Sequence, residues 1–224
     1  MTAETHPLDA PPRDEGPPSD GRRLRGQRSR QAVLDHAVQV ASTHGLEGLT
    51  FGSLSAGTGA GKSAIAGLFG AKEQLQLATV ARAREVFLDD VVAPARTAAP
   101  GLARVWALVA RWNAYSRSRT FAGGCFFRAA EAEEGSRPGP VRDAVVAVRR
   151  EWDAYLGHHV QVAVGQGELA PDTDAPQVVF EVGALLGAAN DRSVLLGDDG
   201  AYGRALAAVR AVLVARGADP SRLA

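Results

Sequence analysis

The chain has 224 residues, 46% of them hydrophobic, one cysteine and a formal net charge of zero. This suffices for a sizeable buried core, while the lone Cys125 excludes an internal disulfide framework and fits a reducing cytoplasm. No apolar run reaches the roughly eighteen residues a membrane helix needs, and the acidic, proline-rich start is unlike a secretory signal.

The zero net charge conceals an asymmetry. Residues 1–21 hold one arginine against five acidic residues, a balance of −4. Residues 22–84 hold seven arginines and two lysines against Asp35, Glu47 and Glu73, a balance of +6, and the remainder stands at −2. A small basic module joined to a larger near-neutral one suits nucleic-acid binding in the first part.

Residues 1–21, rich in Pro, Asp, Glu and Gly, read as a disordered acidic tail. The basic run that follows, with Arg22, Arg23, Arg25, Arg28 and Arg30, is either a solvated helix start or an arm reaching along DNA phosphates. A helix is expected over about Ser29–His44, its apolar stripe formed by Val33, Leu34, Ala37, Val38, Val40 and Ala41, and Gly45 ends it. Thr50 is placed as an N-cap for a second helix over about Phe51–Gly57, with Phe51 and Leu54 inward. Thr58–Gly61 is the turn, with Gly59 supplying its backbone angle. A third helix over about Lys62–Phe69 buries Ile65, Leu68 and Phe69 and shows Lys62, Ser63, Ala64, Ala66 and Gly67 outward. Two short helices around a tight turn make a helix-turn-helix, whose natural target is a DNA groove.

The same stretch also contains Ala56-x4-Gly61-Lys62-Ser63, which resembles a degenerate phosphate-binding loop. Such a loop needs a preceding β-branched strand and a following strand–helix alternation. Neither is legible here, so nucleotide binding is the weaker alternative.

The segment Val33–Leu75 resembles the DNA-binding domain of the TetR family of bacterial transcriptional regulators. The resemblance rests on the Ala-rich helix ending at Gly45, Leu49-Thr50, Leu54-Ser55-Ala56, Gly59-Ala60, Lys62, Ile65, Phe69 and Lys72-Glu73-x-Leu75, in one ungapped register. It implies a third helix lying in the major groove of an operator and a two-fold dimer. Position by position, it implies that Lys62, Ser63 and Ala64 face bases or phosphates, and that Thr50 and Lys72 touch the phosphate backbone. Where the family usually carries a tyrosine and a polar residue, this chain has Ala66 and Gly67. The recognition surface is smooth as a result, and Arg22, Arg23, Arg25 and Arg28 are expected to supply phosphate contacts.

A fourth helix is expected over about Lys72–Val92, broken afterwards by Pro94 and Pro100. Helix five, about Leu102–Ser118, carries Trp106, Trp112 and Tyr115, which suit either core packing or an apolar ligand cavity. The Phe121–Phe127 stretch contains a glycine pair and leads into a short helix through about Glu134, with Glu131, Glu133 and Glu134 read as a solvated face. Cys125 reads as a small buried apolar residue. Helix seven, about Pro140–Val164, turns Trp152, Tyr155 and Leu156 inward. His158 and His159 are adjacent, point about 100° apart and make a poor metal pair. Helices over about Pro176–Leu196 and Ala201–Arg216 close the chain, and the small residues Gly183, Ala184, Gly187 and Ala188 permit a close crossing.

The expected fold is all-α: a helix-turn-helix domain over 22–72 after the tail 1–21, a ligand-binding and dimerisation domain over 73–218, and a C-terminal tail over 219–224. The expected function is a ligand-responsive, cytoplasmic DNA-binding regulator, a repressor that leaves its operator when a small apolar or aromatic effector binds. Its partners are operator DNA, that effector and a second copy joined through the last two helices. Trp106, Trp112, Tyr115, Phe121, Cys125, Phe126, Trp152 and Tyr155 are the expected effector contacts. No membrane, cofactor, metal or catalytic group is called for. The alternative is a helical ligand-binding protein with weakened or lost DNA binding, favoured by Ala66 and Gly67.

Overall fold

A computed structural model describes residues 21–223, with side chains from Leu24 onward. The expected acidic tail therefore lies outside the described residues except for Gly21. The described residues form nine long helices and no strand: α1 (Gly21–His44), α2 (Phe51–Thr58), α3 (Lys62–Phe69), α4 (Lys72–Phe87), α5 (Leu102–Arg117), α6 (Phe126–Glu134), α7 (Pro140–Gly165), α8 (Ala175–Leu196) and α9 (Gly200–Val214).

The chain divides into two compact units. Among the described residues, a head unit contains those up to Val86 together with Phe121–Ala147, and a C-terminal unit contains Phe87–Thr120 and those from Val148 onward.

In the head unit, α1 begins well before the expected Ser29. The basic run offers only Gly26 as a weak point, and leucine, glutamine and arginine are good helix formers, so the run joins the helix instead of forming an extended arm. Val33, Leu34, Ala37, Val38 and Ala41 of α1 are buried with Leu46, Leu49, Leu54, Ile65, Phe69 and Leu75. Thr50 caps α2 as expected: its Oγ1 accepts from the Ser53 N–H (2.9 Å), and its own N–H donates to Ser53 Oγ (3.1 Å), a reciprocal capping box. Gly59 stands at φ 70° and turns the chain toward α3. Helix α6 packs on α1. There the expectation of a solvated Glu131–Glu134 face is corrected: Glu134 is buried, and Glu133 binds the loop after α1.

In the C-terminal unit the fourth helical segment differs from the expected uninterrupted rod. Leu88–Val92 forms a π turn, with the Ala93 N–H reaching Leu88 O, and the helix then runs on through Ala93–Ala95 despite Pro94. Proline has no N–H and its ring pushes away the carbonyl four residues earlier. A widened turn directly before it absorbs that displacement, so the chain is not broken at Pro94. Helices α8 and α9 pack extensively on each other, with α5 against both. A buried polar network joins the three. Ser116 Oγ donates to Asn190 Oδ1 (3.0 Å) and lies 2.8 Å from Tyr202 Oη. Asn113 Nδ2 donates to Tyr202 O (3.0 Å), and Arg119 Nη2 donates to Ser193 Oγ (2.8 Å). His159 is buried edge-on against Tyr155, with ring centroids 4.8 Å apart, whereas His158 is half-buried. Residues at the C-terminus fold back: Leu223 is buried, and Arg222 pairs with Glu168 (2.6 Å).

Candidate DNA interface and effector site

Helix α3 is anchored from one side only. Ile65 and Phe69 are buried, while Lys62, Ser63, Ala64 and Gly67 are exposed along the opposite face. Its N-cap is Gly61, which makes no side-chain cap, so its first N–H groups have no side-chain acceptor from that residue. The guanidinium of Arg30 lies 4.9 Å from the Phe69 ring centroid, a cation–π contact that ties α1 to the end of α3. Arg25 and Arg28 are exposed on the early turns of α1. The side chains of Arg22 and Arg23 lie outside the described residues.

Thr50, Lys62 and Lys72 do come together. With Phe51, Gly52 and Leu75 they line a cleft of about 300 Å³ where the starts of α2, α3 and α4 converge. Helix N-termini and ammonium groups around one concavity favour an anion. On the exposed face, Ser63 can donate or accept at a base edge, and the Ala64 methyl can meet a thymine methyl. Lys72 is already engaged, however: its Nζ donates to Glu47 O (2.8 Å) and to Glu47 Oε2 (2.9 Å). The hydrogen bond from Lys72, followed by one from Gln76, holds the Glu47 carboxyl below the usual glutamate range.

Sequence reasoning missed the residues that hold this corner. Gln76 Nε2 donates to Leu46 O (3.0 Å) and Glu47 Oε1 (3.1 Å). From the other side, Glu133 accepts from the Leu46 N–H through Oε2 (2.6 Å) and from the Glu47 N–H through Oε1 (2.9 Å). Gly45, at φ 77°, makes this possible, since a Cβ there would sit 2.7 Å from the Glu133 carboxylate. Beside this clamp, the Ala122 N–H donates to Gln39 Oε1 (3.0 Å) and the Gly123 N–H to Ser42 Oγ (3.1 Å). Nothing local marks Glu133 as the partner of a loop more than eighty residues earlier.

The expected effector contacts fall in different units. Phe121, Cys125 and Phe126 are buried in the head unit, where Phe121 and Phe126 stack at a tilt with centroids 5.7 Å apart. Trp106, Trp112, Tyr115, Trp152 and Tyr155 belong to the C-terminal unit. There Phe87, a residue the sequence reading did not single out, meets Tyr115 (5.7 Å) and Trp152 (5.1 Å) edge-to-face. Tyr155 Oη accepts from the buried Arg104 (3.0 Å). None of the eight lines the clefts described here. The larger cleft, about 450 Å³, lies between α7 and α8 and is lined by Arg149, Asp153, His158, Gln161, Val179 and Phe180, among others. No group of His, Cys, Asp and Glu suited to a metal ion occurs among the described residues, and no helix among them is long and apolar enough to cross a membrane.

Comparison with known proteins agrees with this architecture. Residues 101–209 match the family model for the tetracyclin repressor-like C-terminal domain. A TetR transcriptional regulator from Chloroflexus aurantiacus is 24% identical and superimposes with a TM-score of 0.75 over 81% of this chain and 92% of that one. A TetR-family regulator from Agrobacterium tumefaciens is 18% identical, with a TM-score of 0.74 over 85% and 98%. The regulator AibR, solved with isovaleryl coenzyme A and operator DNA, is 18% identical, with a TM-score of 0.63 over 78% and 95%. No curated protein sequence matches. At such identities the structural likeness is one of fold, and the family match adds descent for the C-terminal part. The phosphate-loop alternative does not fit this fold, since Ala56–Ser63 is the end of α2, a turn and the start of α3, with no strand before it among the described residues. With a helix-turn-helix head, a C-terminal part that matches the tetracyclin repressor-like domain over residues 101–209 and the shared fold, the chain resembles the TetR family of transcriptional regulators.

Proposed function

We propose that the chain is a homodimeric, ligand-responsive repressor whose helix-turn-helix binds operator DNA and lets go when a small apolar or aromatic effector binds. The observation that carries this reading is the one-sided anchoring of α3, which leaves Lys62, Ser63, Ala64 and Gly67 exposed beside the Thr50–Lys62–Lys72 cleft. The operator complex of AibR supports it by analogy. Lys62, Ser63 and Ala64 read the major groove, while Thr50, Lys72, Arg22, Arg23, Arg25 and Arg28 contact phosphates. Residues 22–72 form the DNA-binding domain and 73–218 the effector and dimerisation domain. The aromatic set Trp106, Trp112, Tyr115, Trp152 and Tyr155, joined by Phe87, is the effector-binding group we favour, because large rings with polar edges suit an apolar or aromatic ligand.

The dimer forms through α8 and α9. On α8, Phe180, Ala184, Ala188 and Leu195 are exposed along one stripe about 22 Å long at 1.5 Å per residue. A two-fold axis near Gly187 sets Phe180 against Leu195 of the partner subunit, with the small residues at the crossing. Effector binding then favours a head separation that mismatches successive major grooves, about 34 Å apart, and DNA is released. The test is fluorescence anisotropy with a duplex taken from upstream of the coding region, together with sedimentation of the free chain. Specific binding by a dimer is expected. A chain that binds this duplex no better than a scrambled one sinks the reading and favours a ligand-binding protein that has lost DNA binding.

A further inference from the structure

Lys72 and Lys62 are the only lysines in the chain, and both line the cleft at the convergence of α2, α3 and α4. One of the two is occupied. Lys72 Nζ holds both the main-chain oxygen and the carboxylate of Glu47. Glu47 in turn sits on a loop gripped from two sides, by Gln76 of α4 and by the Glu133 carboxylate of α6. The Glu133 contact is the firmer of the two grips: one carboxylate accepts from two consecutive main-chain N–H groups, and charge-assisted bonds of this kind are among the stronger ones.

We propose that Glu47 is an autoinhibitory residue, holding Lys72 away from a DNA phosphate, and that Glu133 is the positioning residue through which α6 keeps Glu47 in place. This rests on the DNA-binding reading above and deepens it by naming how affinity is set. The Lys72 and Glu47 side chains are 43% and 58% exposed. Exposed pairs are worth little, so a phosphate can displace this one without unfolding anything. The arrangement is therefore a restraint on affinity and not a block. Movement of α6 alters the grip on the Leu46 and Glu47 N–H groups, and with it the availability of one phosphate contact per subunit.

The experiment uses the full chain, the upstream duplex and a scrambled duplex of equal length, with anisotropy titrations across a series of salt concentrations. Glu47→Gln is expected to tighten binding up to about fivefold at low salt, the scale of an exposed pair. It is expected to steepen the log–log salt slope by about 0.9 per subunit, the signature of one added phosphate contact. Glu73→Gln, which removes an exposed charge beside Lys72, controls for general electrostatics and should leave the slope unchanged. In a Lys72→Gln background, Glu47→Gln should also leave the slope unchanged. Glu133→Ala should speed hydrogen exchange at the Leu46 and Glu47 amides and shift the slope in the Glu47→Gln direction, with melting curves confirming that each variant is folded. If Glu47→Gln matches Glu73→Gln, or keeps its effect without Lys72, the inference is wrong while the regulator reading stands. If Glu133→Ala leaves both exchange and slope unchanged, the role given to α6 is wrong. If the wild-type chain binds neither duplex, the regulator reading falls and takes this inference with it.

Discussion

Replacing Gly123 with alanine should destabilise the head unit far more than one methyl group suggests. A Cβ at this position would lie 1.8 Å from the Ser42 carbonyl oxygen and 2.6 Å from its carbon. Restoring an ordinary carbon–oxygen contact of about 3.3 Å requires the loop or the end of α1 to move by roughly 1.5 Å. Both sides are main chain, so no side chain can rotate away. Overpacking of this kind costs about 1–3 kcal/mol. The displacement also breaks the Ala122-to-Gln39 and Gly123-to-Ser42 hydrogen bonds, at about 1 kcal/mol each. The sum is about 3–5 kcal/mol, which for a chain of this size lowers the melting temperature by roughly 6–20 °C. Gly67→Ala is the matched control. Gly67 is exposed in the middle of α3, outside the left-handed region, and a Cβ there would meet nothing within 4 Å. That variant should gain up to about 1 kcal/mol, because alanine is the better helix residue and has less backbone freedom to lose. Thermal unfolding followed by far-ultraviolet circular dichroism measures both. If Gly123→Ala melts with the wild type, or Gly67→Ala melts clearly below it, the packing argument is wrong.

Three other outcomes are expected. Burial first, and then the neighbouring Glu133, raise the Glu134 carboxyl above the ordinary glutamate value. The native state therefore keeps a proton that the unfolded chain releases, and stability falls as pH rises from about 4.3 through the raised value. Glu134→Gln should accordingly melt above the wild type at neutral pH and converge with it below pH 4; an offset that is constant with pH would contradict this. Phe87→Ala removes a buried ring packed edge-on against Tyr115 and Trp152, at a cost of about 3–5 kcal/mol. Its tryptophan fluorescence should shift to the red, and an unchanged chemical denaturation midpoint would argue against that packing. Leu195→Lys places a charge at the end of the α8 stripe and should convert a dimer to monomers in sedimentation; a variant that stays dimeric moves the interface elsewhere.

Much of the architecture follows from short-range chemistry that can be read along the chain. The 3.6-residue apolar stripes, the Thr50 cap, Gly59 in its turn and the Lys62–Phe69 limits of α3 depend on residues within a few positions of one another. Local signals failed where the balance was close. Gly26 was too weak a breaker to keep the basic run out of α1, and Pro94 was accommodated by a π turn because the buried Val91 and Val92 hold the segment in the core. The helix-turn-helix was legible for the same reason, as its parts lie within about forty residues and each has a local role.

What the sequence by itself determined is the all-α class, the helix-turn-helix, the family resemblance and the set of cations and aromatic residues. Only the tertiary structure decided how these groups are partnered. It put Lys72 on Glu47, set Arg30 over Phe69, turned the acidic end of α6 into a clamp on the Leu46–Glu47 loop, and divided the aromatic residues between two units. The physical reason is range. A cap or an amphipathic stripe is satisfied within one or two turns of chain, whereas the partner of a carboxylate or a ring is whatever distant segment the packed core brings beside it.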